Sequence, residues 1–203
     1  MFNSRAASRT LKHFTRKTSI FLVRHAQSVP PTPNGPSEYQ RPLTEIGRVQ
    51  ASRLADSLAE LGPGVVMSSP YLRAVQTLEP AARRWDLPIH TDQRLREWDS
   101  GIEPTPDYGR HYEQSWAHPR WARPGAESLH ELTGRAVQAL ADLVDDPPDR
   151  PVIIGSHGTF ISRALIGLGC SGIDWAFQQV MPMPAVYRLE FGGPIVYAVG
   201  PGL

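Results

Sequence analysis

Apolar and polar positions alternate along the chain in two periods. Ile20-Phe21-Leu22-Val23 is a short continuous apolar run, which suits a buried strand. From Thr44, apolar residues Ile46, Val49, Leu54, Leu58 and Leu61 recur at helical spacing, and Gly62-Pro63 closes that stretch. Val65-Val66-Met67 reads as a second strand, and Tyr71 to about Trp85 as a helix with a kink or break at Pro80. Leu87 to Thr91 is a third short strand. Glu127 to Val144 is amphipathic, with Leu129, Leu132, Ala136, Val137, Leu140 and Val144 on one face. Val152-Ile153-Ile154 is a fourth strand, followed by a helix from Phe160 to Leu168 that Gly169 ends. Ala185 to Phe191 and Ile195 to Val199 read as a terminal hairpin. Strands alternating with helices predict a single α/β domain: a mixed, mostly parallel sheet with helices on both faces.

Two stretches resist this pattern. Val29 to Pro42 is a loop rich in Pro and Gly. Gly101 to Gly125 has no usable period and contains Pro104, Pro106, Pro119 and Pro124, which predicts a long loop over a site. Proline is the compositional outlier, at 20 of 203 residues, about twice the average share. The remaining composition excludes rather than specifies. With 40% hydrophobic and 20% charged residues the chain is in the globular class. A net charge of +1 excludes a globally polycationic nucleic-acid binder. One cysteine, Cys170, excludes an internal disulfide, and no Cys/His cluster has zinc spacing. No run of 18 apolar residues predicts a membrane span.

Residues 1–18 differ in kind. They carry Arg5, Arg9, Lys12, Arg16 and Lys17, and no acid precedes Glu38. The segment has no apolar h-region, so it does not read as a secretory signal, although its composition also resembles a transit peptide. We read it as a basic extension ahead of a domain over 19–203, in a cytoplasmic protein.

Four polar clusters follow four strands: Arg24-His25-Ala26-Gln27-Ser28, Ser69-Pro70-Tyr71-Leu72-Arg73-Ala74, Arg96-Glu97-Trp98-Asp99 and Ser156-His157-Gly158. Ligands of open α/β sheets bind at the carboxyl ends of the strands, so these clusters are expected to converge. Guanidinium forks match phosphate oxygens and stay charged at any working pH. An imidazole can act as nucleophile and divide one displacement into two. A second histidine, if protonated, adds positive charge, and a carboxyl group can give a proton to the leaving oxygen. Phosphoryl transfer is catalysed mostly by positioning and charge stabilisation, which such a set supplies without a metal or other cofactor.

Six stretches carry a family resemblance. Arg24 to Ser28 resembles the Arg-His-Gly-Glu/Gln-Thr/Ser signature of the histidine phosphatase superfamily, phosphoglycerate-mutase-like, in its larger branch. Arg41-Pro42-Leu43-Thr44-Glu45 with Gly47 and Gln50-Ala51 is similar to the entry of its first helix, and Ser69 to Thr77 to its second-arginine motif. Leu95 to Gly101 resembles its acid segment, Pro124 to Ser128 the start of its next helix, and Ser156-His157-Gly158 its second-histidine motif. The order and spacing also match, from about Ser19 to Val199. The resemblance implies phosphorylation of His25, a clamp of Arg24, Arg73 and His157, and Glu97 as proton donor. Asp99, Glu103 and Asp107 stay open as alternatives for the acid. Ser28 either contacts phosphate or caps its loop. Trp116 and Trp121 either line the pocket or pack the long loop down.

The chain departs from the family at Ala26 for Gly, Pro31 where Asn is common, Gln40 where Asp is common, and Ile102-Glu103-Pro104 in place of Trp-Glu-Gly. Asn34 either substitutes at the phosphate or does not. The expected activity is metal-independent hydrolysis of a small phosphorylated substrate, with a phosphoglycerate-type mutase and a silent phospho-ligand module as alternatives. No nucleic acid, membrane or cofactor is expected, and a homodimer is compatible with the sequence.

Overall fold

A computed structural model describes residues 18–145, 148–192 and 196–203. The basic extension expected over 1–18 lies outside these except for Thr18, which opens the first strand, and Ile195 of the expected hairpin lies outside them too. Among the described residues, no helix is long and apolar enough to cross a membrane.

Six strands form one sheet in the order β3-β2-β4-β1-β5-β6. These are β1 (Thr18–Arg24), β2 (Val65–Ser68), β3 (Ile89–Thr91), β4 (Val152–Ser156), β5 (Ala185–Phe191) and β6 (Tyr197–Val199). The first four run parallel to their neighbours among themselves, while β5 pairs antiparallel with β1, and β6 with β5. All five residues of β4 are buried, as befits a strand covered on both faces.

The two-residue period of the strands sorts their side chains between two helical layers. Val23, Val66 and Ile153 meet α1 (Glu45–Ser57) and α2 (Leu72–Trp85) on one face. Ile20, Leu22, Val152 and Ile154 meet α4 (Leu129–Asp145) and α5 (Gly158–Gly167) on the other. The expected layers are therefore present, and the buried face of α4 carries Leu129, Leu132, Ala136, Ala139, Leu140 and Val144.

Three local expectations are corrected, and one helix lies in a stretch that had no assigned element. Pro80 does not break α2, which runs unbroken to Trp85. The turns on either side are held by buried Leu78, Ala81 and Ala82, so tertiary packing outweighs the lost backbone bond. The stretch expected to be irregular from Gly101 to Gly125 contains α3 (Tyr108–Ala117), whose mixed composition masks its period. A short helix, α6 (Trp175–Val180), precedes β5, capped by Asp174 Oδ1 accepting from the Phe177 N–H at 2.8 Å.

In α1 the apolar pattern misleads. Ile46 and Val49 are 61% and 52% exposed, and the buried face is Gly47, Ala51 and Ala55. A Cβ on Gly47 would stand 1.9 Å from the Gln27 carbonyl oxygen. The helix start is pressed onto the backbone behind His25, and small residues permit that approach where large ones would not.

Candidate active site

The three central parallel strands end side by side, at Arg24, Ser156 and Ser68. The His25 N–H donates to the Ser156 carbonyl at 3.0 Å, and the Ser69 N–H to the Gly155 carbonyl at 2.8 Å. The first, second and fourth polar clusters thus share one rim of the sheet. The third is tied in by Ser156 Oγ, which donates to the Leu95 carbonyl at 2.8 Å. The rim opens into a cavity of about 880 Å³ lined by Arg24, His25, Ser28, Arg73 and Glu97, among others.

His25 is buried, and its Nδ1 stands 2.7 Å from the Ala26 carbonyl. A carbonyl only accepts, so Nδ1 carries the proton and Nε2 keeps its lone pair. Arg73 Nε donates to that Nε2 at 3.3 Å. Burial, then the charge of Arg73, hold the His25 pKa well below 6.5. The result is a neutral imidazole with its outer nitrogen unprotonated.

His157 is fully buried at the start of α5, its ring 5.2 Å from that of His25. Its Nε2 lies 2.7 Å from Ser69 Oγ. That oxygen also accepts from the Tyr71 N–H at 3.2 Å, and with a second lone pair and its own proton it can pair with Nε2 as acceptor or donor. Nδ1 is buried and has no partner. Burial, then Arg73 and His25, push the His157 pKa well below 6.5 as well. The second histidine, considered above as an added positive charge if protonated, is neutral in this arrangement.

The sign of these shifts predicts a stability profile. Two imidazoles that fold neutral must stay unprotonated, while in the unfolded chain they take up protons below about 6.5. Their share of stability is full above that value and falls as pH drops from it. The melting midpoint should therefore fall between pH 7 and pH 5, and the fall should be smaller in His157→Gln. An equal fall in both proteins would contradict this.

Arg24 donates through Nη1 to the Met181 carbonyl and to the Pro182 carbonyl at 3.4 Å, while its buried Nε has no partner. A Cβ on Gly158 would lie 3.2 Å from that Nε, so glycine after His157 leaves room for the guanidinium. Arg73, only 1% exposed, is the most deeply buried cation here. It meets Glu38 as well as His25, with Nη2 2.9 Å from Glu38 Oε2 and Nη1 2.8 Å from the Glu38 carbonyl. Ser28 lines the cavity, where its Oγ accepts from Arg41 Nη1 at 3.2 Å.

Glu97 also lines the cavity. Its Oε1 accepts from the Trp98 N–H at 2.8 Å and the Phe160 N–H at 3.1 Å, and its Oε2 from the Thr159 N–H at 3.3 Å. The carboxyl group therefore sits at the N-terminus of α5, against three backbone donors. Its backbone is pinned from α4. Arg135 donates to the Arg94, Arg96 and Glu97 carbonyls at 2.7, 3.0 and 3.4 Å and pairs with Glu127 at 2.7 Å. Of the alternative acids, Asp99 and Glu103 line the cavity and Asp107 does not. Trp116 and Trp121 do not line it either, and Arg163 and Arg123 stack on them instead. Asn34 and Pro31 lie on the wall.

The sequence puts Ser69 in a converging cluster and Arg41 at a helix entry without giving either a role, and it does not signal Glu38. Other motif residues turn out to hold the His25 loop. The Ala26 N–H donates to Thr77 Oγ1 at 2.9 Å, the Gln27 N–H to Gln50 Oε1 at 2.9 Å, and the Leu43 N–H to Gln76 Oε1 at 2.8 Å. Among the described residues, no three His, Cys, Asp or Glu side chains converge as a metal site.

A buried neutral imidazole, two guanidiniums, a second buried imidazole and a nearby carboxyl group, set on a sheet covered on both faces, define a phosphoryl-transfer class of fold and site. The chain belongs to the histidine phosphatase superfamily, branch 1, which it matches over residues 20–193. It is 32% identical over 147 residues to the glucosyl-3-phosphoglycerate phosphatase of Mycobacterium tuberculosis, covering 62% of this chain and 65% of that protein's length. It is 30% identical over 177 residues to the probable phosphoglycerate mutase GpmB of Proteus mirabilis, covering 82% of this chain and 76% of the mutase. In fold it resembles the mycobacterial glucosyl-3-phosphoglycerate phosphatase (TM-score 0.68, 24% identity, 86% and 91% of the two chains) and Bacillus stearothermophilus YhfR (TM-score 0.72, 24% identity, 91% and 96%).

Proposed function

We propose that the protein is a metal-independent phosphomonoester hydrolase acting through a phosphohistidine at His25 on a small phosphorylated metabolite. The observation that carries this reading is the pairing of a neutral, nucleophilic His25 Nε2 with buried nitrogens that lack partners, the Arg24 Nε–H and His157 Nδ1. A buried donor without an acceptor is costly, and a phosphoryl oxygen would satisfy the Arg24 N–H. In the first step the lone pair of Nε2 attacks phosphorus, the P–O ester bond breaks, and Glu97 gives the leaving oxygen a proton. In the second, Glu97 takes a proton from water, which attacks the phosphohistidine and restores the imidazole.

Relatives named for a phosphatase and for a mutase make both activities candidates. A mutase must grip a second anionic group of its substrate. Beyond Arg24, Arg41 and Arg73, the cavity wall offers Arg96 as its further cation, and the same wall carries Asp99 and Glu103. That balance favours hydrolysis. The reading includes a cytoplasmic setting, in keeping with a chain whose one cysteine forms no internal disulfide.

The test is phosphate release from sugar phosphates, phosphoglycerates, phosphoserine and nitrophenyl phosphate, with isomer formation followed in parallel. Phosphate should appear without isomerised product, and EDTA should leave the rate unchanged. Loss of activity on chelation, restored by magnesium, would mean that the positive charge comes from a metal and not from the guanidiniums.

A further inference from the structure

Glu38 lies in the Pro-rich segment between the first signature and α1, and no motif marks it. Its carboxylate joins two buried guanidiniums. Arg41 grips it side-on, Nε to Oε1 and Nη2 to Oε2, both at 2.9 Å. Arg73 donates to the same Oε2 at 2.9 Å and to the Glu38 carbonyl at 2.8 Å. The side chains of Arg73 and Arg41 are 2% and 10% exposed, against 45% for Glu38, which faces the cavity. Arg41 in turn holds Ser28 Oγ at 3.2 Å and the Val29 carbonyl at 2.7 Å, and the Leu72 N–H at the head of α2 donates to the Tyr39 carbonyl at 2.9 Å. The segment is thus fastened at both ends of the carboxylate.

We infer that Glu38 is a positioning residue, fixing the Arg73 guanidinium between itself and His25, with Arg41 fixing Glu38. The proposal rests on the phosphohistidine reading. One edge of the Arg73 plane is held by His25 Nε2 and its far end by Glu38. The second N–H on each Nη is left for phosphoryl oxygens, in a plane that cannot rotate. Like charges also explain the carboxylate. Arg41 and Arg73 repel each other in a buried setting, and an anion between them lets both point at one cavity. Hydrogen bonds from Arg41 and the charge of Arg73 outweigh burial and keep the Glu38 carboxyl below its ordinary value.

A carboxylate acting only through its charge would do the opposite, because removing it beside an anion site tightens phosphate binding. The sign therefore decides. Glu38→Gln and Arg41→Lys are made in the parent and in Arg73→Ala, with Arg73→Lys as the background if Arg73→Ala melts below assay temperature. Calorimetry with inorganic phosphate and turnover of an alkyl and a nitrophenyl phosphate are measured for each. In the parent, Glu38→Gln should weaken phosphate binding and lower kcat/KM about 10²-fold on both esters alike. Arg41→Lys should give a smaller loss of the same kind. In the Arg73 background both effects should shrink to less than about twofold. Tighter phosphate binding in Glu38→Gln, or an undiminished loss in the Arg73 background, overturns the proposal while leaving the phosphohistidine reading intact. A parent that neither binds phosphate nor turns over either ester overturns both.

Discussion

His25→Ala is expected to abolish turnover, with a loss on the order of 10⁴-fold or more, while the protein keeps its fold. The size follows from what the side chain supplies. A covalent route needs an atom that attacks phosphorus, and His25 Nε2 is a neutral lone pair beside Arg73 at the rim of the cavity. Its replacement removes the intermediate itself, not one contact to it. The fold should survive because Nδ1 bonds only the adjacent Ala26 carbonyl, and the backbone N–H that donates to Ser156 is kept in alanine. Alanine also leaves Arg73 one acceptor short, so a small drop in melting temperature is expected. Rapid acid-free quenching of the parent with a labelled substrate should trap an acid-labile, base-stable phosphoenzyme, which the variant lacks. Retained turnover in His25→Ala would sink the mechanism, because the other imidazole, on His157, is fully buried and uses its Nε2 on Ser69.

The legible parts of the molecule share a physical cause. Strands β1, β2 and β4 are continuous apolar runs because both their faces are covered, and the polar residues that follow them stand out by contrast. That is why Arg24, His25, Arg73 and His157 are legible at one rim, whereas Glu97, after the largely exposed β3, is marked by its motif alone. Less legible is what depends on partners distant in sequence. Ile46 and Val49 have the right period for a buried face, yet the close approach of α1 to Gln27 selects Gly47, Ala51 and Ala55 instead. The period of α3 is hidden because of its ten residues only Ser115 is buried. Glu38 carries no local signal, since its meaning comes from Arg73, 35 residues away. Thr77, Gln50 and Gln76 lie inside stretches that were recognised, but their work is to hold the His25 loop, which spacing alone does not reveal.

Glu97→Gln should slow alkyl phosphates by about 10²–10⁴-fold and nitrophenyl phosphate much less. An alkoxide is a strongly basic leaving group and needs a proton as the P–O bond breaks, whereas a nitrophenolate is stable without one. The carboxylate is placed for the task by two sets of contacts. Arg135 holds the backbone at Arg94, Arg96 and Glu97, and three N–H groups hold the side chain. Of its two oxygens, Oε1 carries the two shorter bonds, and Oε2 carries one at 3.3 Å. Oε2 is therefore the oxygen freer to turn toward a leaving group. The amide variant loses part of this cradle and should cost about 1 kcal/mol of stability, as the loss of a helix cap does. Such a loss lowers the folded fraction for both substrates equally, so the ratio of their kcat/KM values isolates the chemistry. Arg73→Ala should slow both alike, because the transferring oxygens it would grip are the same in each. An unchanged ratio in Glu97→Gln would move the proton donor to one of the other carboxyl groups on the cavity wall, and Asp99→Asn and then Glu103→Gln would be compared by the same ratio.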